Sequence, residues 1–128
     1  MRRVVMTSSN NAANFQKQLF LQKRLHRFGP DLQPRAISYY GWSKIAYEGL
    51  GFVFALGEAH GRPLENVQIR IGGPRETDVA RCKKGDLRCM RRALAVYISR
   101  RDMDQLLIKS IETPDIRDER GVPFQIFY

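Results

Sequence analysis

The sequence predicts an α/β fold built on a parallel sheet, and three observations carry that expectation. A continuous apolar run, Arg3 to Thr7 (RVVMT), fits a strand buried on both faces. A long apolar helix follows it, and then a second strand-like run from Val67 to Ile71. Beyond that come a loop, a helix and a final strand. Strands therefore alternate with helical segments, which favours parallel pairing through right-handed crossovers.

Each element has its own signal. After RVVMT, the residues Ser8, Ser9, Asn10 and Asn11 read as the loop at the C-terminal edge of the first strand. Asn14 to Phe28 is polar and basic, with Phe15, Leu19 and Leu25 loosely at helical spacing, and reads as a weak helix or an ordered loop. Gly29-Pro30 and Pro34 break the chain. The central helix is expected over 38–61, with Ser38 as its start signal and Gly61, followed by Pro63, as its stop. Ile45, Leu50, Phe52, Val53, Phe54 and Leu56 make it apolar almost all round, so it should be buried by the sheet and by another helix or subunit. Tyr40 and Lys44 stand one turn apart on one face of its open end.

Val67, Ile69 and Ile71 alternate with Gln68 and Arg70 and end in Gly72-Gly73-Pro74, which predicts a strand and a turn. Arg75 to Arg92 reads as a long, charged, irregular loop, a kind that is often functional. Ser99 is an N-cap, with Asp102 completing an aspartate variant of the capping box. Met103, Leu106, Leu107 and Ile111 form the stripe of a helix that Pro114 ends, and Pro123 to Tyr128 reads as a strand. There is no internal repeat and no low-complexity segment.

Composition bounds the function. The 128 residues are 43% hydrophobic and 27% charged, as in one globular domain rather than a disordered tail. No apolar run approaches a membrane span, and the Met-Arg-Arg start lacks the apolar core of a signal peptide. Cys82 and Cys89 lie in a basic stretch with no histidine nearby, so no metal site is expected. Two cysteines are also a poor disulfide framework, which makes a reducing cytoplasm the expected compartment. The net charge of +9 points to nucleic acid, an anionic membrane or a phosphorylated ligand. The basic residues are scattered, without aromatic interleaving or zinc-finger spacing, which argues against nucleic acid and for a solvated basic face. His26 and His60 have no partners at useful spacing and read as surface residues.

Tyr40-Gly41-Trp42-Ser43-Lys44, with Glu48 four positions on, resembles the active-site helix of the extended short-chain dehydrogenase/reductase family, the NAD(P)-dependent epimerase/dehydratase group. Met6-Thr7-Ser8-Ser9-Asn10 resembles the strand end that supplies that family's serine, and Gln68-Ile69-Arg70-Ile71-Gly72 followed by Pro74 its next strand and substrate loop. Tyr97-Ile98-Ser99-Arg100-Arg101-Asp102 resembles the segment opening a late helix. The serine-serine-asparagine run and the Ile-Arg-Ile-Gly strand are most similar to uronate-dehydrogenase-like members. The resemblance covers nearly the whole chain and implies a partial Rossmann-like domain over 1–128. This would be the C-terminal half of a doubly wound parallel sheet with flanking helices.

The resemblance also implies a chemistry. Oxidising a sugar carbinol requires removal of its hydroxyl proton, and a free tyrosine ionises only near pH ~10. An adjacent ammonium favours the phenolate, so Tyr40 would be the general base and Lys44 would lower its pKa and hold the nicotinamide ribose hydroxyls. Ser9 would orient the substrate hydroxyl, with Ser8 the alternative one register step away. Asn10 would support the substrate or be a plain turn asparagine. Arg70 could be structural. Arg92 best matches the family's substrate arginine, with Arg91 and Arg75 as alternatives beside a simple solvated charge cluster; a guanidinium fork suits a carboxylate or phosphate.

The departures are as informative. The family's glycine-rich dinucleotide turn should precede the serine strand, and Gly57, Gly61, Gly72 and Gly73 do not stand in G-x-G-x-x-G order. Asn14 to Phe28 is more basic than the family's usual loop there. The expectation is a catalytic and C-terminal portion without the cofactor-binding half, with only a partial NAD or NADP site. It would act on a sugar, uronic acid or nucleotide sugar, as a homodimer through helix 38–61 or with a partner chain supplying the missing half. The alternative is a non-catalytic fragment or interaction protein using its basic surface.

Overall fold

The computed structural model describes residues 2–27, 32–59, 61–73, 81–94 and 97–127. Strands β1 (Arg3–Ser9), β2 (Glu65–Ile71) and β3 (Phe124–Phe127) pair in parallel in the order β1-β2-β3. The register runs from Arg3 opposite Glu65 to Ser9 opposite Ile71, and from Asn66 opposite Phe124 to Ile69 opposite Phe127. A 3-10 turn (Asn10–Ala13) and helices α1 (Asn14–Leu21) and α2 (Tyr39–Leu56) connect β1 to β2. Helices α3 (Leu87–Leu94) and α4 (Arg100–Glu112) lie between β2 and β3. The mixed α/β architecture with a parallel sheet and flanking helices is the one expected.

Period-two alternation gives β2 two unlike faces. Val67 and Ile69 join Met103 and Ile116 in the apolar core, with Val5, Ile71, Ile98, Leu106 and Leu107 packed around them. This face belongs to α4. On the other face, Asn66, Gln68 and Arg70 are buried beneath α2. From α2, Glu48 pairs with Arg70 and Gly51 lies against Asn66 and Gln68, while Gly41 and Ala55 are also buried. A Cβ at Gly51 would stand 2.3 Å from Gln68 Nε2, so the glycine is what lets the helix approach the polar strand.

The central helix departs from expectation in two ways. It ends at Leu56 rather than Gly61, because Gly57 adopts the left-handed conformation (φ +78°) and the chain turns back at once. Gly61 is also left-handed, but it shapes the turn leading to β2. Nor is α2 buried all round: Leu50, Phe52, Val53, Phe54 and Leu56 are exposed, although Phe52 makes an edge-to-face contact with Phe124 at 5.3 Å. The inward stripe is small and polar, so the apolar bulk is left outside.

Other boundaries also move. Ser8 and Ser9 belong to β1 and not to the loop after it. The Asn14–Phe28 segment forms a helix only to Leu21. The C-terminal part of the expected loop Arg75–Arg92 is helix α3, whereas residues 74–80 lie outside the described residues. Cys82 and Cys89 form a disulfide against expectation, their Cα atoms 5.7 Å apart. Ser99 caps α4 as expected, accepting from Asp102 N at 3.0 Å. Arg3 closes the other end of that helix by donating to the carbonyls of Ser110, Ile111 and Thr113. Arg2 and Arg3 both bridge to Glu65 beside it. Among the described residues, no helix is long and apolar enough to cross a membrane.

Candidate functional site

The N-terminal end of α2 meets the C-terminal end of β1, the edge of a parallel sheet where ligands of open α/β folds bind. Ser38 starts the helix by accepting from Gly41 N at 3.1 Å. Gly41 then permits a close approach: a Cβ there would lie 2.4 Å from the Asn11 carbonyl oxygen and 2.8 Å from Ala36 Cβ. Backbone cannot give way as a flexible side chain can. The glycine therefore fixes how near Tyr40 and Lys44 come to the turn that follows Ser9.

Lys44 is the link between helix and strand. Its ammonium donates to the Thr7 carbonyl at 3.1 Å, two residues before Ser9. It also stands 5.7 Å from the centre of the Tyr40 ring and 5.2 Å from that of Tyr47, within cation–π range of both. Tyr40 is 54% exposed, so its phenol is open to a ligand. Tyr47 was absent from the sequence assignment, although its spacing of three from Lys44 could have found it.

The two serines have different surroundings. Ser8, 2% exposed, donates its hydroxyl proton to Glu48 Oε1 at 2.5 Å. That carboxylate also receives Arg70 in a two-pronged pair, Nε to Oε1 and Nη2 to Oε2, both at 2.8 Å. The pair is almost wholly buried, with side-chain exposures of 3% and 4%. Arg70 is thus a structural partner of Glu48. A charge in mid-strand and another in an apolar helix were the available signals, since buried charges are paired. Ser9, 6% exposed, accepts from the backbone N and the Nδ2 of Asn11, each at 3.2 Å. Its own hydroxyl proton has no acceptor among the described residues, so it can donate to an incoming oxygen.

Asn10 opens the 3-10 turn half-buried, and Asn11 rather than Asn10 holds Ser9 and receives Asn14 Nδ2. Arg92 lies on α3, but its side chain falls outside the described residues, as does Arg75 entirely. His26 is exposed, and His60 is outside the described residues. The structure thus brings Lys44, Tyr40 and the Ser9 turn to one end of the sheet. Comparison of the chain with protein-family models, curated proteins and solved structures found no match.

Proposed function

We propose that the chain is the catalytic portion of an NAD(P)-dependent oxidoreductase or epimerase of the extended short-chain dehydrogenase/reductase type, with a partial Rossmann-like fold. Its substrate is a sugar, uronic acid or nucleotide sugar. The observation that carries this reading is the Lys44 contact with Thr7, which ties the Tyr-x-x-x-Lys turn to the serine-bearing end of β1.

Tyr40 takes the proton of the substrate hydroxyl, with the Lys44 ammonium 5.7 Å from the centre of its ring. Ser9 donates its free hydroxyl proton to the same substrate oxygen and orients it. Ser8 is less suited to that role, because its proton is committed to Glu48. Asn10 and Arg92 are the proposed substrate contacts.

The fit to a dinucleotide is partial. Lys44 uses one of its three donors on Thr7, which leaves two for ribose hydroxyls beside the exposed Tyr40. NAD or NADP bound there would supply the hydride acceptor. Among the described residues no diphosphate cradle exists: of the left-handed glycines Gly57, Gly61, Gly85 and Gly121, none follows a strand and opens a helix. A partner chain would provide that turn, and the exposed apolar side of α2 suits either such a chain or a second copy. The proposed cytoplasmic location requires Cys82 and Cys89 to be reduced there, so their pairing counts against it.

Calorimetric titration of NAD and NADP into the purified chain tests the reading, with Lys44→Ala as control. Saturable binding weakened by the substitution is expected, and Tyr40→Phe should then remove turnover of uronic acids while leaving that binding. No binding by a folded chain overturns an autonomous enzyme and favours the non-catalytic reading or a partner half.

A further inference from the structure

Helix α3 sorts a charged stretch in a way that its sequence order hides. At about 100° per residue, Leu87, Cys89, Met90 and Leu94 fall along one side of the helix, and Arg88 and Arg91 along the other. The disulfide to Cys82 and the half-buried Met90 hold the inner part of that apolar side. Leu87 stands about 200° round from Cys89, and Leu94 lies two turns further on at the same edge. Turned away from the disulfide, these leucines are 62% and 58% exposed.

The turn that enters the helix is basic and fixed. Asp86 N donates to the Lys83 carbonyl at 2.9 Å, and Gly85 takes the left-handed conformation between them (φ +85°). Asp86 is occupied as the helix cap, accepting from Cys89 N at 2.9 Å. Lys83, Lys84 and Arg88 are exposed, and the side chain of none makes an ion pair or hydrogen bond among the described residues. An apolar edge and a cluster of cations thus share one short segment. A nucleic acid would use the cations and leave the leucines in water. An apolar protein groove would take the leucines and strand the cations. An anionic bilayer satisfies both, with acyl chains for the leucines and headgroups for the charges.

We propose that α3 and the Lys83–Asp86 turn dock the protein on an anionic phospholipid surface. Leu87 and Leu94 enter the acyl boundary, and Lys83, Lys84 and Arg88 meet the headgroups. This does not rest on the oxidoreductase reading. The test is co-sedimentation of the purified chain with vesicles of phosphatidylcholine alone, and of phosphatidylcholine with about one-third phosphatidylserine. The expected result is binding to the anionic vesicles only, released by raised salt. Lys83→Gln/Lys84→Gln/Arg88→Gln should weaken it by about fivefold per cation, and so about a hundredfold in all. Leu87→Ser/Leu94→Ser should weaken it at least about tenfold, whereas Leu87→Met/Leu94→Met keeps the apolar edge and should bind as the parent does. All five positions are exposed, so circular dichroism should report an intact fold in each variant. Three results would each overturn the proposal. They are no binding to the anionic vesicles, binding indifferent to either the glutamine or the serine substitutions, and an equal loss in the control Arg117→Gln/Arg120→Gln. Retention in the serine variant would make the turn a general polyanion site, of the kind a nucleic acid uses.

Discussion

On the α4 side of the sheet, Val67, Ile69 and Val5 meet Met103, Leu106, Leu107 and Ile116. On the α2 side, Ser8, Asn66, Gln68 and Arg70 are buried beneath Glu48, Gly51 and Ala55. The first contact is non-directional, and its strength grows with the apolar area removed from water. The second depends on each polar group finding its partner. Asn66 and Gln68 both donate to Met6 Sδ, and Gln68 also donates to Asn66 Oδ1 at 2.7 Å. Gln68 Oε1 is buried with no partner among the described residues. One face should therefore yield gradually to substitution, and the other should fail abruptly when a single partner is removed.

The largest effect is expected at the buried ion pair. Glu48→Ala removes the buried carboxylate that pairs with Arg70 and accepts from Ser8, and should cost about 3–5 kcal/mol in denaturant unfolding. The paired replacement Glu48→Leu/Arg70→Met should recover most of that loss. A double variant as unstable as the single would mean that the polar face is not governed by this pair.

The next contrast lies within one helix. A Cβ added at Gly49 would meet nothing within 4 Å, so Gly49→Ala should stabilise by about 0.5–1 kcal/mol through helix propensity. Gly51→Ala faces Gln68 and Asn66 and should instead destabilise by about 1–3 kcal/mol. Opposite signs in thermal melts would establish the close approach; equal signs would remove it.

On the apolar face, Ile69→Val should cost only about 0.5–1.5 kcal/mol, with a cooperative transition retained in chemical denaturation. The smallest effect is one of pH. Burial alone would raise the Glu65 carboxyl, but its hydrogen bonds and charge interactions with Arg2 and Arg3 outweigh that and lower it below its ordinary 4.5. The bridge stabilises the fold fully above that ordinary value, and its contribution is lost as pH falls through the lower folded value. Acid unfolding of Glu65→Gln should accordingly be less steep below pH 4.5 than that of the parent chain.

Local signals were legible in the sequence where the physics is local. Ser38 and Ser99 announced their helix starts because a capping side chain bonds the backbone two or three residues away. The strands near Val5 and Val67 were visible as apolar runs, and the α/β order followed from them. In the sequence Gly61, followed by Pro63, is as good a stop signal as Gly57, and only the approach of Arg62 to Gly57 reveals where the helix stops. The outward apolar side of α2 was invisible for a similar reason: a helix apolar nearly all round does not say which stripe meets the sheet. That choice was made by Gly51 and Glu48, whose meaning depends on Gln68 and Arg70 in another element. At the site, spacing gave the nearness of Tyr40 and Lys44, but the Lys44–Thr7 contact and the commitment of Ser8 to Glu48 are tertiary facts. The pairing of Cys82 with Cys89 likewise required the turn before α3 to bring them together.

Arg3 has a consequence for the order of assembly. It sits in the first strand, yet its guanidinium closes the end of α4 by bonds to residues 107 to 110 positions away. Its strand pairs with β2 across a separation of 62 residues. Contacts of such range are slow to form, because the loop between them must close before they contribute. In a chain synthesised from its N-terminus, β1 emerges before β2 and α4 and must wait for both. It is thus among the last of these elements to be locked, and α2 and β2 can take up their contact before it docks.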